Sequence, residues 1–258
     1  MADAQKLPNT QQESLRLPAN VKIDGKATEW NNQFQAYNHA TDVFYTVAND
    51  DDRLYLTIQV TDPLIINNII GGGITFTIQK SAKKTDKDGI AITYPIFDKD
   101  NKPYMRMKSK RGVNAGQTLT PAQADSVMNI NNKRLADNSK LIAVTGIKGL
   151  DTLISVYNQD GIKTAELFDN KMVYTYELAV DLKRLELTRL QKFAYHITVN
   201  GPGAAAFGTG VLVGNTLDRT ANPQAAASLD ALVAKVNTLS QPAAPTDFWG
   251  EYTLSKGN

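Results

Sequence analysis

Apolar and polar residues alternate with a period of two along most of the chain, the pattern of half-buried β-strands. Leu54, Leu56, Ile58 and Val60 share one face, with Tyr55, Thr57, Gln59 and Thr61 on the other. Ile74, Phe76 and Ile78 alternate with Thr75, Thr77 and Gln79. Tyr174, Tyr176, Leu178 and Val180 alternate with Thr175, Glu177 and Ala179. Phe193, Tyr195, Ile197 and Val199 repeat the pattern, and Phe248, Tyr252 and Leu254 stand opposite Trp249, Glu251 and Thr253. Shorter candidates lie at 21–24, 43–48, 90–97, 141–147, 153–157, 162–168 and 207–213.

Turn residues punctuate these runs. Asn49, Asp50, Asp51 and Asp52 read as a hairpin loop. The glycines at 71–73, the Asp88-Gly89 pair, 159–161 and 201–203 read as further turns. About ten short strands with regular punctuation predict an all-β fold, an antiparallel β-sandwich of jelly-roll or immunoglobulin-like type. Two short helical insertions interrupt it. Asn222 and Pro223 open a helix whose apolar stripe is Leu229, Leu232, Val233, Val236 and Leu239. Thr120 and Pro121 open a second, running to about Asn129. The predicted layout is a disordered polar leader over 1–19 and one sandwich domain over 20–258. Its insertions lie at about 98–140 and 208–246.

Composition narrows the chemistry. With no cysteine, disulfides, zinc ribbons and thiol nucleophiles are excluded, and two histidines, His39 and His196, leave little for a histidine-rich metal centre. No apolar run approaches the ~20 residues that span a bilayer. The net charge of +2 hides an asymmetry: residues 80–111 hold ten Lys/Arg and four Asp/Glu, a net of +6, which leaves −4 elsewhere. That stretch reads as an anion-attracting surface or as a solvated hairpin whose lysines guard a sheet edge. Its end alternates Arg106, Lys108 and Lys110 with Met105, Met107 and Ser109. Near-neutral charge overall and the lack of a recognition motif argue against nucleic acid. No hydrolase, P-loop or dinucleotide signature occurs, so no enzyme is expected.

The segment from Val21 to Trp30 (VKIDGKATEW) resembles the opening of family 9 carbohydrate-binding modules and their DOMON-like relatives. Val43 to Pro63 (VFYTVANDDDRLYLTIQVTDP), Tyr174 to Leu185 (YTYELAVDLKRL) and Asp247 to Leu254 (DFWGEYTL) resemble later blocks of that family, in order. The stretch 71–96 is similar to uncharacterised secreted proteins of Bacteroidetes-type bacteria that carry such a domain. The resemblance implies non-catalytic binding of a glycan or polysaccharide by a protein outside the cytoplasm, in the periplasm, at the cell surface or secreted. The alternative is a cell-envelope structural module that docks a protein partner and takes no small ligand.

Sugar binding asks for aromatic faces that stack on pyranose C–H groups, with carboxylates, amides and guanidinium groups for the hydroxyls. The resemblance gives Trp30 a structural position, plugging one end of the core. Trp249 then becomes the leading stacking residue, with the neighbouring Glu251 as hydrogen-bonding partner. Tyr37, Tyr94 and Tyr104 are the tyrosines that could act as a second aromatic wall, and Arg106 lies beside Tyr104. Related modules hold structural calcium, so Asp50 and Asp52 are candidate calcium ligands, with a plain acidic turn as the competing reading. Haem, bound by some relatives through Met and His, is disfavoured because His196 shares its face with Ala194 and Thr198. Eight of the ten tyrosines, all but Tyr37 and Tyr104, fall in expected strands and read as sheet residues.

Overall fold

The computed structural model describes residues 7–17, 21–30, 33–97, 102–106, 119–188, 191–201 and 244–255. In chain order its strands are β1 (Leu15–Arg16), β2 (Ala36–Asn38), β3 (Val43–Asn49), β4 (Arg53–Val60), β5 (Ile74–Gln79) and β6 (Ile90–Ile96). They continue with β7 (Leu141–Thr145), β8 (Leu153–Ser155), β9 (Ile162–Phe168), β10 (Tyr174–Asp181), β11 (Lys192–Val199) and β12 (Thr246–Thr253). The α-helices are α1 (Pro63–Gly72), α2 (Pro121–Asn138) and α3 (Leu182–Leu185). Two six-stranded sheets make an all-β sandwich. The first runs β1-β3-β4-β10-β9, with β2 also on β3, and the second runs β12-β11-β5-β6-β7-β8. Every pairing is antiparallel except β1 on β3.

The alternating apolar rows meet between the sheets. Tyr45, Leu56, Ile58, Phe76, Tyr195 and Ile197 are buried in one continuous core. The Tyr45 and Tyr195 hydroxyls lie 3.0 Å apart across the gap. The Tyr45 ring packs 4.9 Å from Phe248, so β12 sits over β3. At the far side, Ser139 beyond α2 hydrogen-bonds to the interior carboxylate of Glu166 on β9.

The outer face of the first sheet is covered as well. Leu17, Ala27, Trp30 and Phe34 pack on Ala48, Tyr55 and Ala179. The expected disordered leader differs here: residues 7–17 are laid along the sandwich. Gln11 completes the β3 edge as a strand would, its side-chain amide donating to Val47 O at 2.8 Å and accepting from Val47 N at 2.7 Å. Asn132 of α2 does the same for β9, bonding both the N–H and the C=O of Phe168. Side-chain amides thus occupy edge groups that would otherwise invite another strand.

Other expectations shift in detail. The 21–24 segment is not a strand. The carboxylate of Glu177 accepts from Asp24 N at 2.9 Å and Gly25 N at 2.8 Å, so this segment is tied down as a turn. Glycines 71 and 72 belong to α1, which Asp62 caps by accepting from Leu64 N and which ends at Gly73 with φ 77°. The helix opened by Thr120 extends beyond Asn129 to Asn138. The helix expected at 222–239, the strand at 207–213, most of the 208–246 insertion, and Met107, Lys108 and Lys110 lie outside the described residues. No strand is assigned over 102–106, where the cationic alternation begins.

Candidate functional site

β12 is the edge strand of the second sheet, and its register on β11 pairs Trp249 with His196 and Glu251 with Ala194. Pleating sends Phe248 and Tyr252 into the core and Asp247, Trp249 and Glu251 to the outer face. The expected facing of this strand therefore holds. Trp249 is half-buried, and its ring stacks on the His196 imidazole at 4.3 Å with the planes 10° apart. Glu251 pairs with Lys192 of β11 at 2.5 Å. The ammonium holds the Glu251 carboxyl below its ordinary value, first through the hydrogen bond and then through charge.

Facing this strand is the N-terminal segment. The Tyr252 hydroxyl donates to Leu15 O at 2.8 Å and Ser14 Oγ bonds Thr253 O, which closes one end. Between the segment and β12 lies a cavity of about 390 Å³. Trp249, Glu251, Lys192, Lys84, Gln12 and Ser14 are among its walls. One aromatic plane, two cations, a carboxylate, an amide and a hydroxyl thus line a single space. Lys84 makes no ion pair with the described residues. It reaches the cavity on the β5–β6 turn, which folds back over the sheet. The Gln79 side chain donates to Thr85 O at 3.2 Å and Lys87 O at 2.7 Å. The Asp86 carboxylate lies 2.9 Å from His196 Nδ1.

The remaining expected binding residues do not join this space. Tyr104 is 77% exposed, and its carbonyl accepts from Arg134 of α2. Arg106 is held through its backbone by Asn131, at 2.9 Å in both directions. Both therefore belong to the α2 side, where the helix packs on β9, at the edge of the sandwich remote from β12. Tyr37 sits on β2, on the outer side of the first sheet. It stacks edge-on against His39 at 4.8 Å and donates to Asp42 at 2.6 Å. Tyr94 is buried in the core. Tyr157, expected in a strand, lies beyond β8 and is 70% exposed.

The acidic loop is a built turn. One oxygen of Asp50 accepts from Asp52 N at 2.8 Å and Arg53 N at 2.7 Å, and the other accepts from Tyr55 OH at 2.7 Å. Asp52 is exposed, and its carbonyl accepts from Leu182 N. Among the described residues no three His, Cys, Asp or Glu side chains gather as a cation site. This donor set does not fit the six to eight oxygens calcium takes. Among the described residues no helix is long and apolar enough to cross a membrane.

Lys84, Lys192, Asp86, Asp247 and Gln12 escaped sequence reasoning. His196 could have been found as the cross-strand neighbour of Trp249 had the register been known. The N-terminal wall had no periodic signal to find.

No family model matches the chain, and no curated protein matches it. Among solved structures it is similar to a carbohydrate binding module family 9 from Caldicellulosiruptor kristjanssonii in complex with glucose. The identity is 10%, the match covers 95% of this chain and 97% of that chain, and the TM-score is 0.41. The chemistry of the site is accordingly read from its own residues.

Proposed function

We propose that the protein binds a carbohydrate outside the cytoplasm without transforming it, in the cavity between β12 and residues 10–14. The observation that supports this reading is the outward, half-buried Trp249 at the wall of a 390 Å³ cavity otherwise lined with hydrogen-bonding side chains. An indole presents a flat apolar surface to pyranose C–H groups. Gln12, Ser14 and Glu251 supply an amide, a hydroxyl and a carboxylate for sugar hydroxyls, and Lys84 supplies a further donor. A pocket of mixed donors and acceptors around one aromatic plane suits a polyhydroxylated ligand better than an apolar one. Polysaccharides rich in such faces lie in and beyond the cell envelope, so the reading includes an extracytoplasmic site of action.

The test is a glycan array followed by calorimetry on the array's hits. Trp249→Ala is expected to weaken binding about tenfold or more while the far-UV spectrum stays unchanged. Tyr104→Ala is expected to leave binding unaltered, because that residue sits at the other edge. Absence of binding to every glycan at millimolar concentration overturns the proposal.

A further inference from the structure

Four charged residues line the cavity: Lys84, Lys192, Glu13 and Glu251. Two of them cancel, because Lys192 Nζ lies 2.5 Å from the Glu251 carboxylate. Lys192 lowers the Glu251 carboxyl by its hydrogen bond and its charge, and the charge of Lys84 adds to that pull. Two ammonium groups therefore act on one carboxylate at this end of the cavity, and one positive charge is left over. Glu13 does not take it up. Lys84 and Glu13 line the same space, and neither forms an ion pair with the described residues.

The position of Lys84 is built into the fold. Gln79 on β5 is 6% exposed, and its single amide holds the turn at four points. The amide oxygen accepts from Ser81 N at 3.1 Å and Ser81 Oγ at 3.0 Å, and the amide nitrogen donates to Thr85 O at 3.2 Å and Lys87 O at 2.7 Å. Lys84 lies between these anchors, so its backbone is fixed before any ligand arrives and only its side chain has to be ordered. The other cations of the turn are placed differently. Lys80 pairs with Glu186 at 2.6 Å, and Lys83 and Lys87 are exposed and stand outside the cavity lining. A neutral sugar leaves the Lys84 ammonium without an anionic partner. A carboxylate or sulfate on the sugar gives it a charge-assisted bond.

We propose that the cavity selects a glycan unit bearing a carboxylate or sulfate group, with Lys84 as the residue that determines this specificity. The sugar ring lies on Trp249 and its acidic group meets the Lys84 ammonium. Its hydroxyls go to Gln12, Ser14 and the Glu251 carboxylate, whose charge Lys192 offsets. Glu13, on the N-terminal wall, repels the acidic group and so turns it toward Lys84. The inference rests on the carbohydrate reading and names the ligand class for the same site.

The test is calorimetry on the full chain with two matched pairs of ligands. One pair is an oligogalacturonate and its methyl ester, and the other is a sulfated galactan oligosaccharide and its desulfated form. The charged member of at least one pair is expected to bind about fivefold or more tightly than its neutral counterpart, and the pair that shows it separates a uronate from a sulfate. High salt is expected to shrink that preference. Lys84→Gln is expected to abolish it, and because Lys84 is exposed the variant keeps the fold. Lys83→Gln, one residue away and outside the wall, is expected to retain it. Equal affinity within both pairs, a preference that survives in Lys84→Gln, or an equal loss in Lys83→Gln overturns the proposal. Equal affinity within both pairs that is still lost in Trp249→Ala leaves the carbohydrate reading standing and removes only the selection of acidic sugars. Absence of binding to all four ligands and to every glycan of the array removes both.

Discussion

The two sheets carry one tryptophan each on an outer face, and the sequence around them follows two different rules. Trp30 lies in the cover over the first sheet, is 6% exposed and packs among Leu17, Phe34 and Tyr55. Trp249 lies on the second sheet, half-exposed on a histidine. The strands beneath Trp30 are buried on both faces: all of β10 except Asp181 is buried, and so are Tyr55 and Thr57 of β4. The strands beside Trp249 keep a clean alternation, as in β12 and the second half of β11. A sheet face that must be covered constrains stability, while a face left open retains polar groups that can be used. The contrast makes one tryptophan part of the closed framework and leaves the other on an open face, where the proposed binding would use it.

The sharpest way to break that contrast is to remove each indole in turn. Trp30→Ala empties a closed site, and is expected to cost about 3–5 kcal/mol in urea unfolding. Trp249→Ala removes a partly exposed ring and is expected to cost under about 1 kcal/mol. Equal losses would dissolve the distinction between the faces.

A second, smaller effect separates the closed sheet from the open one by pH. Burial pushes both Glu166, in the interior, and Glu177, beneath the Asp24–Gly25 turn, up to about 7 from an ordinary 4.5. Bonds from Ser139 and Tyr174 pull Glu166 the other way, as do two backbone N–H groups for Glu177, and burial outweighs them. A carboxyl raised on folding binds more protons in the folded state. Its contribution is therefore complete below 4.5 and is lost as the pH rises through about 7. Stability is expected to fall on the order of 1–3 kcal/mol between pH 5 and pH 8, measured as the urea midpoint. Glu177→Gln, under the cover, should remove part of that slope, and Glu166, between the two sheets, carries the rest. A stability that rises over this interval would contradict the closed-face description.

Much of the sandwich was legible because strand alternation survives even where the second face is also buried. Tyr55, Thr57 and Ala179 look like solvent-facing residues in sequence, yet the N-terminal cover encloses them. That cover has no periodicity: Gln11 holds on through its side-chain amide on Val47 and its backbone N–H on Tyr45 OH, and Leu17 through its backbone N–H on Asn49 O and its side chain in the outer cluster. The signals for α1 were present in Asp62 and Pro63, but its apolar run of Leu64, Ile65 and Ile66 fits a buried strand equally well. At the site, the facing of Trp249 and Glu251 followed from alternation within one strand. The distance between Trp249 and Tyr104 did not, because it depends on which sheet edge each element occupies.

The smallest expected effect tests whether the open face contributes stability at all. Lys192 and Glu251 form the ion pair beside Trp249, with side chains 57% and 42% exposed. Two solvated charges on flexible stems gain little from pairing in water. Lys192→Ala is therefore expected to change unfolding by less than about 1 kcal/mol, and less again in 1 M salt. Glu251→Gln keeps the shape and one acceptor while removing the charge. It should leave unfolding equally untouched yet weaken glycan binding in calorimetry, because a carboxylate accepts a hydroxyl more strongly than an amide does. If Glu251→Gln instead lowers stability as the loss of an interior group would, the pair belongs to the framework, and the open face contributes to the fold much as the closed one does.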